Sequence, residues 1–71
     1  MKVVSSEAIH EKDHDYVRVS IFADTAPSPM PEPADIPGYD SSYEFMPGST
    51  LYEITTGTLY MAGEDGDWHQ Q

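Results

Sequence analysis

The chain has 71 residues, with 13 acidic residues against 3 Lys and Arg, so its formal net charge is −10. Such a charge argues against direct binding to nucleic acid or to an anionic membrane. Cysteine is absent, which excludes disulfides and thiolate metal sites. No apolar run is long enough to span a bilayer.

A chain of this length forms one small domain that buries only roughly 60% of its unfolded surface. We therefore expect oligomerisation or docking onto a larger partner to complete the core. The first residues lack the apolar stretch of a signal peptide. We expect the chain to be made and kept in the cytoplasm unless it leaves as part of a larger particle.

Residues 1–14 have the least clear pattern. The stretch "SSEAIHEKDHD" permits a helix start with Ser6 as its N-cap. A short strand from Val3 to Ile9 is equally compatible with the few apolar positions. The segment is therefore interpreted as a strand or an arm.

Two histidines at the end of this segment, His10 and His14, have a spacing that could bind a metal on a helix. The residues between them are highly polar, and only the distant His69 offers a third ligand. The pattern favours a solvated turn with two exposed histidines.

Residues 15–25, "DYVRVSIFADT", carry the best strand pattern of the sequence. β-branched residues alternate with polar ones, which is typical of a half-buried strand. Tyr16 and Phe22 fall on the second face beside Arg18 and Ser20, which suggests that this face is partly covered too. The residues predicted to face the core are Val17, Val19 and Ile21.

Residues 26–41 hold five of the six prolines. A proline at every second position removes ladder donors and favours polyproline II geometry. This segment is predicted to be an extended connector rather than a strand. It could also serve as a recognition strip for an aromatic groove, but it lacks a basic flank and a clean PxxP frame, so a spacer is favoured.

Residues 42–71 are predicted to form a β-hairpin or meander. Turns are expected at Pro47-Gly48, at Thr56-Gly57 and at Glu64-Asp65-Gly66. A calcium loop at the last turn would need further alternating ligands and a closing Glu, which "DWHQ" does not supply. Trp68 is expected to seal one end of the core. The predicted turn residues are Pro47, Gly48, Gly57, Asp65 and Gly66.

The predicted fold class is all-β: a small antiparallel sheet of four or five short strands with a proline-rich extended connector, all in one domain. The aromatic set Tyr39, Tyr43, Tyr52, Tyr60 and Trp68 is expected to divide between core and interface. The residues predicted as core or interface anchors are Val17, Val19, Ile21, Phe45, Leu51, Ile54, Leu59, Met61 and Trp68.

Catalytic chemistry is not indicated. No serine lies in a G-x-S-x-G frame, and the five glycines are dispersed rather than gathered in a phosphate loop. Carboxylate pairs such as Asp13/Asp15 and Asp65/Asp67 would need a pocket that so short a chain has little volume to build. We predict no enzyme activity, no cofactor and no metal.

The stretch "FMPGSTLYEITTGTLYMAGEDGDW" resembles the endings of small proteins encoded among the virion structural genes of phages and prophages of Gram-positive gut bacteria. The resemblance extends over most of the chain and contains no catalytic residues. The features that carry it are a valine-rich strand, a corner, a turn and an acidic ending: Val17 to Ile21, Ala23-Asp24-Thr25, Pro47-Gly48-Ser49, and Glu64-Asp65-Gly66 with Trp68.

This resemblance implies a structural accessory of a bacteriophage virion, such as a head decoration or fibre-base protein, or a connector or tail component. The chain would bind a capsid or tail protein through its own sheet edge and aromatic surface. It would be oligomeric or present in many copies. It would occupy the host cytoplasm before assembly. Two alternatives remain: a small acidic inhibitor that mimics nucleic acid, and an adaptor that binds a protein through the strip from Pro27 to Pro33.

Overall fold

The computed structural model describes all 71 residues and contains six strands in one mixed sheet. The sheet order is β1-β2-β4-β5-β6, and β3 lies beside β2. The all-β prediction is confirmed. One 3-10 turn, Pro33–Asp35, is the sole helical element, and no helix is long and apolar enough to cross a membrane. The strands are β1 Lys2–Glu11, β2 His14–Ala23, β3 Glu44–Phe45, β4 Thr50–Glu53, β5 Thr58–Ala62 and β6 Trp68–Gln70.

The first two strands form a long antiparallel hairpin through a turn at Lys12-Asp13. Of the two interpretations of the amino-terminal segment, the strand is the one that forms. The ladder runs from Lys2, opposite Phe22, to Glu11, opposite His14, with one irregularity between Val3 and Ser5. A helix starting at Ser6 would have broken this ladder and left β2 with a free edge.

The second strand, β2, is the centre of the sheet. It pairs with β1 on one side and with both β3 and β4 on the other, and these last two pairings are parallel. The sheet is therefore mixed rather than wholly antiparallel as predicted. Parallel neighbours need a crossover connection of a dozen or more residues, and residues 24–43 provide it.

The proline-rich crossover does more than connect strands, because it folds back over one face of the sheet. Ile36 is 1% exposed and belongs to the same apolar cluster as the β2 residues. Pro31 is buried as well. The segment is not a strand, as predicted, but it is not simply an extended spacer: bends and the 3-10 turn fold it, and its apolar side chains cover the core.

The core lies on this first face alone. Alternate residues of β2 point into it, as their pattern predicts, and Phe45 and Leu51 join them from the parallel neighbours. No element of the chain lies over the second face, where Phe22 and Tyr52 are exposed. The expectation of partial covering holds for Tyr16, which is half-buried, but not for Phe22, which is 44% exposed. The buried apolar residues are Val17, Val19, Ile21, Ala23, Ile36, Phe45, Leu51 and Ala62.

A buried hydroxyl bridges the gap that separates β3 from β4 along the edge of β2. The ladder of β3 stops at Val17 and that of β4 begins at Ser20, so on this side of β2 the amide of Val19 has no strand partner. This amide donates to Ser49 Oγ at 3.1 Å, and Ser49 is fully buried. The serine thus replaces one backbone acceptor and lets two short strands share one neighbour.

We predict that Ser49→Ala lowers the free energy of unfolding by about 1–3 kcal/mol, because it leaves a buried amide without an acceptor. Urea unfolding followed by Trp68 fluorescence measures the change. Ser41→Ala is the control, since Ser41 is exposed and its hydroxyl makes no hydrogen bond within the chain. Equal unfolding midpoints for the two variants would show that Ser49 fills no structural gap.

Candidate protein-binding surface

Exposed apolar side chains gather at one end of the sheet. Phe22 and Tyr52 are neighbours across the parallel pair β2–β4, and their ring centroids are 5.9 Å apart. Met1 and Ile54 are exposed beside Phe22 around a shallow hollow of about 280 Å³. Four of the five exposed large hydrophobic residues lie in this area. We call these four residues, Met1, Phe22, Tyr52 and Ile54, the sheet-end patch.

The outer edge of β1 is the second exposed feature. All ladder bonds of this ten-residue strand go to β2, and no loop of the chain hydrogen-bonds to its other side. A free edge of this length offers backbone donors and acceptors to a strand of another protein. Val4, 54% exposed, adds an apolar side chain near the end that adjoins the sheet-end patch.

A groove of about 700 Å³ lies between the crossover and β6. Trp68 forms part of its floor. The indole Nε1 donates to the carbonyl of Pro31 at 3.1 Å, and the ring packs on Phe45 with centroids 5.0 Å apart. These two contacts fasten the crossover to the last strand and fix the orientation of the ring.

The surface charge is spread widely and is mostly unneutralised. Only four of the 13 carboxylates form ion pairs, and three of those pairs use histidine. The sequence spacing raised His10 and His14 as candidate metal ligands. In the structure His10 Nδ1 lies 2.8 Å from Asp15, and His14 Nδ1 lies 3.1 Å from Glu44. No group of three or more His, Cys, Asp or Glu side chains converges in the structure.

The acidic turn between β5 and β6 is a hydrogen-bonded turn, as predicted for Glu64-Asp65-Gly66. The Asp67 amide donates to Asp65 Oδ1 at 3.0 Å, and Gly66 adopts a φ of +81°, which glycine tolerates best. The Asp65 carboxylate also binds His69 Nε2, at 2.9 Å to Oδ2. Both oxygens are thereby engaged inside the turn.

This pairing shifts both pKa values. The hydrogen bond to Asp65, and then the charge of that carboxylate, raise the pKa of His69 above its usual range, and the charge of Asp67 adds to the effect. The hydrogen bond from His69, followed by that from the Asp67 amide, lowers the pKa of Asp65. Gly63 makes room for the ring, because a Cβ there would lie 2.9 Å from His69 Cδ2.

A second carboxylate with a lowered pKa ties the start of the crossover to β4. Glu53 accepts the Ala26 amide at 2.8 Å and the Thr56 hydroxyl at 2.7 Å, and these bonds lower its pKa in that order of importance. Two backbone hydrogen bonds join the same segments: the Ile54 amide donates to the Ala23 carbonyl, and the Thr55 amide donates to the Asp24 carbonyl. These bonds connect the backbone that follows β2 to the backbone that follows β4, next to the sheet-end patch.

The predicted anchors fall into three groups. Val17, Val19, Ile21, Phe45 and Leu51 are buried in the core, and Trp68 is half-buried against it. Leu59 and Met61 are half-buried on the second face, opposite Tyr52 and Thr50. Ile54 is 50% exposed and is not a core residue, because β4 ends at Glu53 and Ile54 begins the following turn.

The predicted turn residues lie in turns. Pro47 and Gly48 form the bend between β3 and β4, and Gly57 lies in the loop between β4 and β5. Gly48 and Gly57 have φ values of +93° and +69°. Of the aromatic set, Tyr52 is exposed, whereas Tyr39, Tyr43 and Tyr60 are half-buried against the core.

Sequence reasoning did not assign five of the buried residues to the core: Ala23, Pro31, Ile36, Ser49 and Ala62. Ile36 carried a usable signal, since it is the one branched aliphatic residue of the crossover. Ser49 carried none, because its burial follows from the break between two strands whose pairing partner lies 30 residues away.

Family models, curated proteins and solved structures were each compared with this chain, and none of the three comparisons gives a match. The candidate binding surfaces of the molecule are the sheet-end patch, the free edge of β1 and the groove beside Trp68.

We predict that the pH titration of His69, followed by NMR of its ring protons, has a midpoint above the usual value of about 6.5. Asp65→Asn should return it toward that value, because the charge and the charge-assisted hydrogen bond are lost. Glu64→Gln is the control, since Glu64 lies in the same turn without contacting His69. An unchanged midpoint in Asp65→Asn would contradict the pairing.

The sign of the stability effect follows from both shifts. The contribution of protonated His69 is complete below its unfolded pKa and is lost as the pH rises through the raised folded value. The contribution of Asp65 is complete above its unfolded pKa and is lost as the pH falls through the lowered folded value. The turn is therefore expected to be most stable between these limits, in mildly acidic solution, as measured by amide exchange at Gly66 and Asp67.

Proposed function

We propose that this chain is a structural accessory protein of a bacteriophage virion, and that it binds a capsid or tail protein through the sheet-end patch and the free edge of β1. Two lines support the proposal. One is the resemblance of its strand, corner, turn and acidic ending to small virion proteins. The other, and the observation that carries the mode of binding, is the clustering of Met1, Phe22, Tyr52 and Ile54 on one exposed area.

The one-sided core explains why a partner is expected. A sheet covered on one face leaves apolar area in water on the other. Docking removes that area from water, and each Å² buried gives a favourable free energy of roughly 25 cal/mol. Exposed aromatic residues are favoured anchors of protein interfaces. Phe22 and Tyr52 are rigid rings already held side by side, so little side-chain entropy is lost when they bind.

Multiple copies would make a modest interface sufficient. The sheet-end patch is small, and a hydrogen-bonded strand edge adds directional contacts rather than much apolar area. In a particle that presents many equivalent sites, weak individual contacts are reinforced when neighbouring copies also touch. We therefore propose a multi-copy arrangement on the particle surface.

The structure bears on the two alternatives differently. In the adaptor hypothesis the strip from Pro27 to Pro33 binds a partner, yet Pro31 is buried and its carbonyl accepts the Trp68 indole. A segment engaged in this way is poorly available as a free peptide ligand. The nucleic-acid mimic draws on the charge of −10, and it would need carboxylates arrayed on one surface at the spacing of phosphates.

The proposal is tested by mass spectrometry of intact, gradient-purified phage particles induced from a host that carries the gene. The expected result is detection of this chain in a fixed ratio to the major capsid or tail protein across the particle peak. Its absence from intact particles, with the protein present in the lysate, would overturn the proposal. Recovery of a basic nuclease or DNA-binding protein from lysate would favour the acidic mimic instead.

Binding through the sheet-end patch is tested by adding purified variants to particles that lack the chain. We predict that the double variant Phe22→Ser, Ile54→Ser loses tenfold or more in affinity, because buried anchors of interfaces each contribute over roughly 1 kcal/mol. Pro37→Ser, also an exposed apolar-to-serine change but on the crossover and outside the groove beside Trp68, is expected to bind normally. Circular dichroism establishes that both variants are folded, and unchanged binding of the folded double variant would contradict this assignment.

A further inference from the structure

The groove beside Trp68 combines apolar walls with a negatively charged rim. Met30, Pro31 and Pro33 line it from the crossover, and Phe45 and Trp68 lie beneath. No lysine or arginine lines the groove. A concave surface built in this way differs in both shape and charge from the sheet-end patch.

Two carboxylates on the rim are free of ion pairs. Glu32 lines the groove on the crossover side and Asp67 on the side of the β5–β6 turn, and neither belongs to any of the four ion pairs of the chain. The one basic group in the lining is His69, whose Nε2 is bound to Asp65 Oδ2 at 2.9 Å. The rim therefore favours a positively charged ligand.

The aromatic floor strengthens this preference. Trp68 is half-buried, with one part of the ring against Phe45 and another part lining the groove. Its hydrogen bond to the Pro31 carbonyl fixes the plane of the ring before any ligand arrives. Tryptophan is the best aromatic partner for a cation within about 6 Å of the ring, and a planar guanidinium can stack on it.

We propose that this groove binds an arginine side chain presented by an extended segment of a partner protein, with the guanidinium on Trp68 and its charge facing Glu32 and Asp67. A volume of about 700 Å³ exceeds the needs of one side chain, so the residues that flank the arginine also fit along the proline wall. Arginine is preferred to lysine because its flat, weakly hydrated guanidinium loses less on leaving water and stacks on the indole.

This inference concerns a surface separate from the sheet-end patch and does not depend on the proposed function. Mass spectrometry of particles tests the proposed function, and the peptide titration tests the groove. Either proposal can therefore fail while the other holds.

The test is an NMR titration of the full chain with the blocked peptide acetyl-Gly-Arg-Gly-amide, following the Trp68 indole N–H signal. The expected result is a saturable shift at millimolar peptide that weakens as salt is raised, since exposed charge pairs are screened. The same peptide with citrulline, a neutral isostere of arginine, is expected to produce no saturable shift. The lysine peptide is expected to bind more weakly than the arginine peptide.

Charge variants complete the test. Asp67→Asn and Glu32→Gln should each weaken arginine-peptide binding roughly two- to fivefold, as expected for exposed charge pairs. Glu64→Gln, which removes an equal charge outside the groove, should leave binding unchanged. The proposal is overturned if the indole signal does not respond to the arginine peptide, if the citrulline or lysine peptide binds as well, or if Glu64→Gln weakens binding as much as the rim variants.

Discussion

The packing of the crossover onto the first face of the sheet is the contact on which the rest of the structure depends. A six-stranded sheet of so few residues has no second layer of strands or helices to bury its apolar side chains. Residues 24–43 provide that layer, with Ile36 placed among the β2 valines. The same segment makes the parallel pairing of β2 with β3 and β4 possible, since only a long connection returns the chain to the starting end of the sheet.

Several local features follow from this arrangement. The first half of the crossover is fastened at two points, by Glu53 at Ala26 and by Trp68 at Pro31. The chain then re-enters the sheet as two short strands, β3 and β4, with a break between them. At this break Ser49 Oγ accepts the hydrogen bond of the Val19 amide. Each of these contacts joins residues more than 25 positions apart in the chain, so the fold is held by long-range polar ties as well as by its small core.

The two proposed binding surfaces both result from the packing of the crossover on one face of the sheet. One consequence is an uncovered sheet face that ends in the Phe22–Tyr52 pair and continues into the free edge of β1. The other is the groove where the crossover meets β6, which combines an oriented indole with two unpaired carboxylates. A strongly acidic chain with both features is suited to a partner that presents apolar side chains to one surface and basic side chains to the other.

The sequence by itself determined the all-β class, the core-facing set of β2 and the turns. Strand alternation and the backbone freedom of glycine are local properties, and Val17, Val19, Ile21 and Gly66 report them directly. Tertiary structure alone decided that β2 has parallel neighbours, that the prolines form a lid, and that Ile54 faces water while Ile36 does not. The physical reason is that periodicity assigns a side chain to a face, whereas burial of that face depends on which distant segment comes to lie over it.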